Sequence, residues 1–214
     1  MNHLNLGILD PGAMGISVAC SAINSGNFIY WVSKGRSPET RARATEHHLR
    51  DAATLANLCA TCDIILSVCP PHAAEEVARQ VLANSFRGLY CDANAIAPQR
   101  AIRLREMLND AGIDFVDGGI IGGPAWKPGE TFLHLSGPRA QEIADCFSAG
   151  PLETNILGDE IGKASALKMC YAAYTKGTTA LLAAILGAAE ALDVRQDVYQ
   201  EKTPPLPMGA GDGG

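Results

Sequence analysis

The segment that most restricts the fold is the first one. Leu4 to Leu9 is a short apolar run that breaks into Asp10-Pro11-Gly12-Ala13-Met14-Gly15 and resumes as an apolar stretch of helical period. A strand that turns through closely spaced glycines into a helix commits the chain to packing that helix back on a sheet. The rest of the chain repeats the pattern. Strands are predicted at Leu4–Leu9, Phe28–Val32, Ile64–Val68, Gly88–Asp92, Asp114–Asp117, Thr131–Leu135 and Thr154–Leu157. Helices are predicted at Gly12–Ser25, Pro38–Glu46, Ala52–Ala60, His72–Ala83, Pro98–Ala111 and Arg139–Ser148, with Ser37, Pro38, Pro71 and Pro98 as start signals. Such alternation gives an α/β, Rossmann-like, doubly wound and mostly parallel sheet. From Ile161 the pattern changes. Lys163 to Leu192 reads as one long α-helix with no strand after it, and Glu201 to Gly214 is a Pro/Gly-rich tail without periodicity.

The 214 residues amount to one ordinary domain and a remainder too small for a second, at ~150 residues per domain. A net charge of −6 and a pI near 5.3 lack the footprint of a nucleic-acid binder. The uncharged stretch Gly177 to Ala189 is shorter than the ~18 apolar residues of a membrane span, so no membrane is expected. Seven cysteines in apolar contexts, with no secretory leader at MNHLNLGILD, suit a reducing, cytoplasmic setting. Cys59-Ala-Thr-Cys62 has metal or redox spacing but no second pair, and reads as two small apolar residues ending a helix. His47-His48 reads as a surface pair, and no metal site is expected.

Pro11, Gly12, Ala13, Met14 and Gly15 form the expected cofactor turn: Gly12 lets backbone approach a pyrophosphate, Gly15 lets helix and strand pack, and the helix N-terminus offers amides to an anion. Asp10 stands where the fingerprint has its first glycine, which sets a carboxylate near an anion. An NAD site carries an acid ~20 residues further on. Here that region reads Ser33-Lys34-Gly35-Arg36-Ser37, and cations and hydroxyls suit a 2′-phosphate, with Arg36 able to bind it bidentately. NADP is therefore expected over NAD.

Taken in order, Gly7–Gly15, Ser67-Val68-Cys69-Pro70-Pro71, Asp92–Pro98, Asp117–Gly123, Gly129-Glu130-Thr131 and Gly162–Lys168 resemble the β-hydroxyacid dehydrogenase superfamily, which includes 6-phosphogluconate and 3-hydroxyisobutyrate dehydrogenases. The resemblance implies an NADP-binding domain over residues 1–160 and an interdomain helix with the start of a helical domain over 161–197, while composition makes 198–214 a Pro/Gly-rich tail. It implies that Lys168 is the general base or acid for a small hydroxy acid, and a lysine in an apolar helix has its charged form disfavoured by burial. Asn94 falls where the family touches substrate or nicotinamide, Cys69 and Pro70 fall at its cofactor loop, and Gly122 and Gly123 match its carboxylate-binding backbone pair. Ile121 and Tyr171 depart from the family's serine and asparagine, which leaves the substrate open, and Tyr171 is expected near it. Trp126-Lys127 reads either as a wall of the substrate pocket or as a plain loop. The family continues past this helix into a larger helical domain, so a shortened form or a homodimer through 163–192 is expected. An imine reductase and a noncatalytic NADP-binding protein are the rival readings.

Overall fold

The computed structural model describes residues 3–201; the expectation for 202–214 lies outside them. Eight strands form one sheet in the order β3-β2-β1-β4-β5-β6-β7-β8. They are β1 (Asn5–Ile8), β2 (Phe28–Trp31), β3 (Arg50–Asp51), β4 (Ile64–Ser67), β5 (Leu89–Asp92), β6 (Asp114–Gly122), β7 (Thr131–Ser136) and β8 (Glu153–Ile156). Every neighbouring pair is parallel except β6 and β7. The helices between them are α1 (Ala13–Asn24), α2 (Pro38–Glu46), α3 (Leu55–Thr61), α4 (Ala74–Ala83), α5 (Pro98–Asn109) and α6 (Ala140–Asp145). Successive strand residues face opposite sides, which divides the core in two. Leu6, Ile8, Leu66 and Cys91 pack with Ile16, Val18 and Ile143 of α1 and α6. Ile65 and Tyr90 pack on the other face with Leu58, Val81, Leu104 and Leu108 of α3, α4 and α5. Burial on both faces explains why the central strands are almost wholly apolar.

Several elements differ from the sequence reading: α4 starts at Ala74 after a 3-10 turn over Pro71–Ala73, and a short helix over Arg195–Gln200 is added. β3 is two exposed polar residues, too short to leave a pattern. α3 starts at Leu55 rather than Ala52, because Ala53 takes a left-handed φ of 63° and Thr54 then caps the helix by accepting from the Asn57 amide at 3.2 Å. β6 runs on to Gly122, because its last residues pair antiparallel with β7 from Asp117↔Ser136 to Gly122↔Thr131.

The described chain divides after Cys170 into two compact units. The first holds the sheet and the first two turns of α7 (Lys163–Ala191), so the divide falls later than the boundary read at 160. The second holds the remainder of α7 and a short α8 (Arg195–Gln200), with Tyr174, Leu181, Leu182, Ile185 and Leu192 exposed. Among the described residues, no helix is long and apolar enough to cross a membrane, and no cluster of potential metal ligands occurs.

Candidate dinucleotide and substrate site

α1 begins at the end of β1, and its first turn is held by packing that only glycine allows. A Cβ on Gly15 would sit 2.0 Å from the Asp10 carbonyl oxygen, whereas a Cβ on Gly12 would meet nothing within 4 Å. Gly12 is therefore not demanded by the protein's own packing. It leaves open space beside a helix N-terminus that has no side-chain cap, where the amides and the positive end of the helix dipole favour an anion.

Next to this turn lies a cavity of about 690 Å³, lined by the ends of β1, β2 and β4, the start of α3 and the length of α4 from Ala73 to Asn84. Its walls include Val32, Leu55 and Val77 on the apolar side and Asp10, Lys34 and Arg36 on the polar side. An adenosine needs that combination of an apolar slot and a polar rim. Arg36 donates from Nη2 to the Leu9 carbonyl at 2.6 Å and pairs through Nη1 with Asp10 Oδ1 at 3.5 Å. Ser33 and Ser37 do not line the cavity. Ser33 is buried against Asp51, whose carboxyl is pulled up by burial but held below its ordinary value overall by hydrogen bonds from Ser33 and Ala53. Ser37 caps α2 by accepting from the Thr40 amide at 3.3 Å.

Cys69 and Pro70 form the opposite wall of the cavity. Asn94 sits behind them, buried, and its side chain is fully engaged. Oδ1 accepts from the Cys69 amide at 2.5 Å, and Nδ2 donates to Ser67 Oγ at 3.0 Å and Asp92 Oδ2 at 2.9 Å. Both amide hydrogens are thus spent inside the protein, and Asn94 fixes the loop that walls the cavity. Asp92 is pushed up to about 6 by burial, opposed by the hydrogen bonds from Asn94. Burial, helped by Asp92 and Asp10, also raises the Cys69 thiol, so Cys69 is a neutral wall rather than a nucleophile.

The substrate-side residues gather on β6 and α7. A Cβ on Gly119 would lie 2.8 Å from the Ala164 carbonyl oxygen and 3.1 Å from Lys168 Cβ, so α7 presses directly on β6 and Lys168 stands half-buried over Gly119. A Cβ on Gly118 would approach Asp92 and Ala93 on the other strand at 3.0 and 3.2 Å. Further along β6, Gly122 has φ 119° and its neighbour Gly123 is open and exposed. Tyr171 belongs to the second unit and is 44% exposed.

Asp117 was missed in the sequence. Its fully buried carboxylate accepts from the amides of Gly162 and Ser165, both at 3.0 Å, and from the hydroxyls of Ser165 and Ser136 at 2.5 and 3.1 Å. It thereby fixes the N-terminus of the helix that carries Lys168. The Gly118-Gly119 pair was the available signal for this contact, since paired glycines within a strand mark close backbone approach.

Ala125, on the loop after Gly123, donates its amide to Ser17 Oγ at 2.8 Å, and Trp126 stacks on His47 with ring centroids 5.6 Å apart. Trp126 therefore packs against the α2 corner and does not line the 690 Å³ cavity. Cys59 and Cys62 are buried, with thiols pushed up to about 11 and about 12 by burial, as expected for packing residues.

The parallel sheet, the open glycine turn at a helix N-terminus and the adjoining apolar cavity define a Rossmann domain for a nicotinamide dinucleotide. Residues 5–145 match the NAD binding domain of 6-phosphogluconate dehydrogenase, and the chain belongs to that family. It is 27% identical over 168 residues to an uncharacterized 28.5 kDa protein of Methanothermus fervidus, covering 78% of this chain; the chain spans 64% of that relative's length. A conserved protein of unknown function, described as structurally similar to 3-hydroxyacid dehydrogenases, superposes with a TM-score of 0.77 at 29% identity, over 92% of this chain and 74% of its own. The fold is also shared with an imine reductase from Myxococcus stipitatus solved with NAD+ (TM-score 0.73, 21% identity, 90% of this chain and 68% of that one). A 3-hydroxyisobutyrate dehydrogenase from Mycobacterium tuberculosis gives a TM-score of 0.72 at 18% identity, over 90% and 67% of the two chains.

Proposed function

We propose that the chain is an NADP-dependent oxidoreductase of the hydroxyacid dehydrogenase type, acting on a small hydroxy acid with Lys168 as general base in one direction and general acid in the other. The observation that carries this reading is the position of Lys168. It stands over Gly119 on the strand that ends in Gly122-Gly123, on a helix whose start is tied to buried Asp117. Gly122 ends β6 with φ 119°, and Gly123 beside it has open space where a side chain would stand, so backbone there can receive a substrate carboxylate. Lys168 takes the hydroxyl proton at Nζ from its half-buried place on the helix. The residues fit a dinucleotide: the amides of Gly12, Ala13, Met14 and Gly15 meet the pyrophosphate, Pro11 shapes the turn, and Cys69 and Pro70 wall the pocket, braced by Asn94. When bound, the nicotinamide supplies the hydride donor or acceptor. Lys34 and Arg36 at the cavity rim, with no acid between Val32 and Ser37, support NADP over NAD, while Ser33 and Ser37 shape the corner from behind.

Lys168→Ala should abolish turnover against a panel of small hydroxy acids while leaving the NADPH dissociation constant within about twofold; near-normal turnover would refute the assigned base. The seven unpaired cysteines suit a cytoplasmic protein. The exposed Leu181, Leu182 and Ile185 suit a homodimer formed through the long helix. Light scattering that returns a monomer mass across a range of concentrations would remove the dimer.

A further inference from the structure

Asp10 occupies the first glycine position of the dinucleotide turn, and its backbone gives no reason for a special residue. It is absent from the left-handed conformations, which among non-glycine residues fall at His48, Ala53, Ser85 and Asp193. What Asp10 contributes is charge. Its carboxylate lines the same 690 Å³ cavity as Lys34 and Arg36, and it pairs with Arg36 at 3.5 Å. Arg36 is simultaneously anchored on the Leu9 carbonyl at 2.6 Å, and Arg43 donates to the Pro11 carbonyl at 3.3 Å. The β1–α1 turn is thus clasped by two arginines, Arg36 from the corner after β2 and Arg43 from the last turn of α2. Of the two cations at this rim, one is already neutralised by a carboxylate. The Asp10 charge also reaches across the cavity, where it contributes to raising the Cys69 thiol.

We propose that Asp10 is a coenzyme-specificity residue: it holds Arg36 against the first turn and opposes a 2′-phosphate, so that NADP is only modestly preferred and NAD is accepted as a second coenzyme. This rests on the NADP reading above. An entering 2′-phosphate meets Lys34 and Arg36 but also the carboxylate, whereas a ribose 2′-hydroxyl meets no such repulsion and can donate to Asp10.

The test is a set of equilibrium fluorescence titrations of wild type, Asp10→Asn, Asp10→Gly and Arg36→Ala with NADPH and NADH. They are repeated with 2′,5′-ADP and 5′-ADP, which carry no nicotinamide and report the adenosine corner alone. Asp10→Asn, which keeps the side-chain volume and removes the charge, should raise the preference for the 2′-phosphorylated ligand about fivefold in both pairs, the scale of one partly solvated charge contact. Asp10→Gly should raise it likewise, and thermal melting verifies that both variants are folded. An unchanged or lowered preference in folded Asp10→Asn overturns the proposal. Failure of the NADP reading looks different: Arg36→Ala then leaves the wild-type preference where it was.

Discussion

Replacing Asp117 with alanine should strongly destabilise the first unit. The carboxylate is fully buried and receives four hydrogen bonds. The Ser136 hydroxyl has a further contact, accepting from the Ala164 amide at 3.1 Å, and the Ser165 hydroxyl can rotate. The amides of Gly162 and Ser165 cannot turn away, because the helix fixes them. Each buried donor left without a partner costs about 1–3 kcal/mol. Removing a buried carboxylate returns part of that, since its own desolvation is relieved. The expected loss is about 3 kcal/mol, a large share of the roughly 5–15 kcal/mol that stabilises a domain. Urea unfolding followed by the fluorescence of buried Trp31 measures it directly. Ser165→Ala supplies the internal control: it removes the hydroxyl contact but keeps both amide bonds, so it should cost about 1 kcal/mol. An Asp117→Ala variant within about 0.5 kcal/mol of wild type, or a Ser165→Ala variant that costs as much, would refute the claim that the carboxylate holds the helix through its amides.

Asp92 predicts a pH dependence of the opposite sign to an ordinary paired carboxylate. Its folded pKa of about 6 lies above the ordinary 3.8, so the unfolded chain ionises first as pH rises. The relative stability it contributes is complete below about pH 4 and is lost as pH climbs through 6. Wild-type stability should fall by about 2 kcal/mol relative to Asp92→Asn between pH 4 and pH 7, and a flat difference in urea midpoints would contradict this. The two fingerprint glycines should separate. Gly15→Ala forces a Cβ against the Asp10 carbonyl and should cost about 2 kcal/mol or more, read by thermal melting. Gly12→Ala has room in the protein and should cost no more than about 1 kcal/mol, yet weaken NADPH at least tenfold by filling the space left for the pyrophosphate.

What could be read from the sequence was local, and what could not was carried by contacts between distant residues. The central strands are legible because burial on both faces makes them apolar over almost their whole length, and Gly12 and Gly15 are legible because their motif is contiguous. The end of β6 is not: the strand reads as stopping at Asp117, yet it continues through Gly118, Gly119 and Gly122. The first two are small because Asp92–Ala93 and α7 lie on top of them. Asp117 was invisible for the same reason. An acid at the end of a short apolar run resembles a surface residue until its partners, 45 and 48 positions away, are folded onto it. Arg36 shows a third limit: its type and spacing suggested a free cation waiting for a phosphate, and only the fold reveals that Asp10 already shares it. In each case the residue type was informative about chemistry and silent about its partner. Partner identity decides function here: the same carboxylate chemistry anchors a helix at Asp117, braces a cofactor loop at Asp92 and sets the charge of the adenosine corner at Asp10.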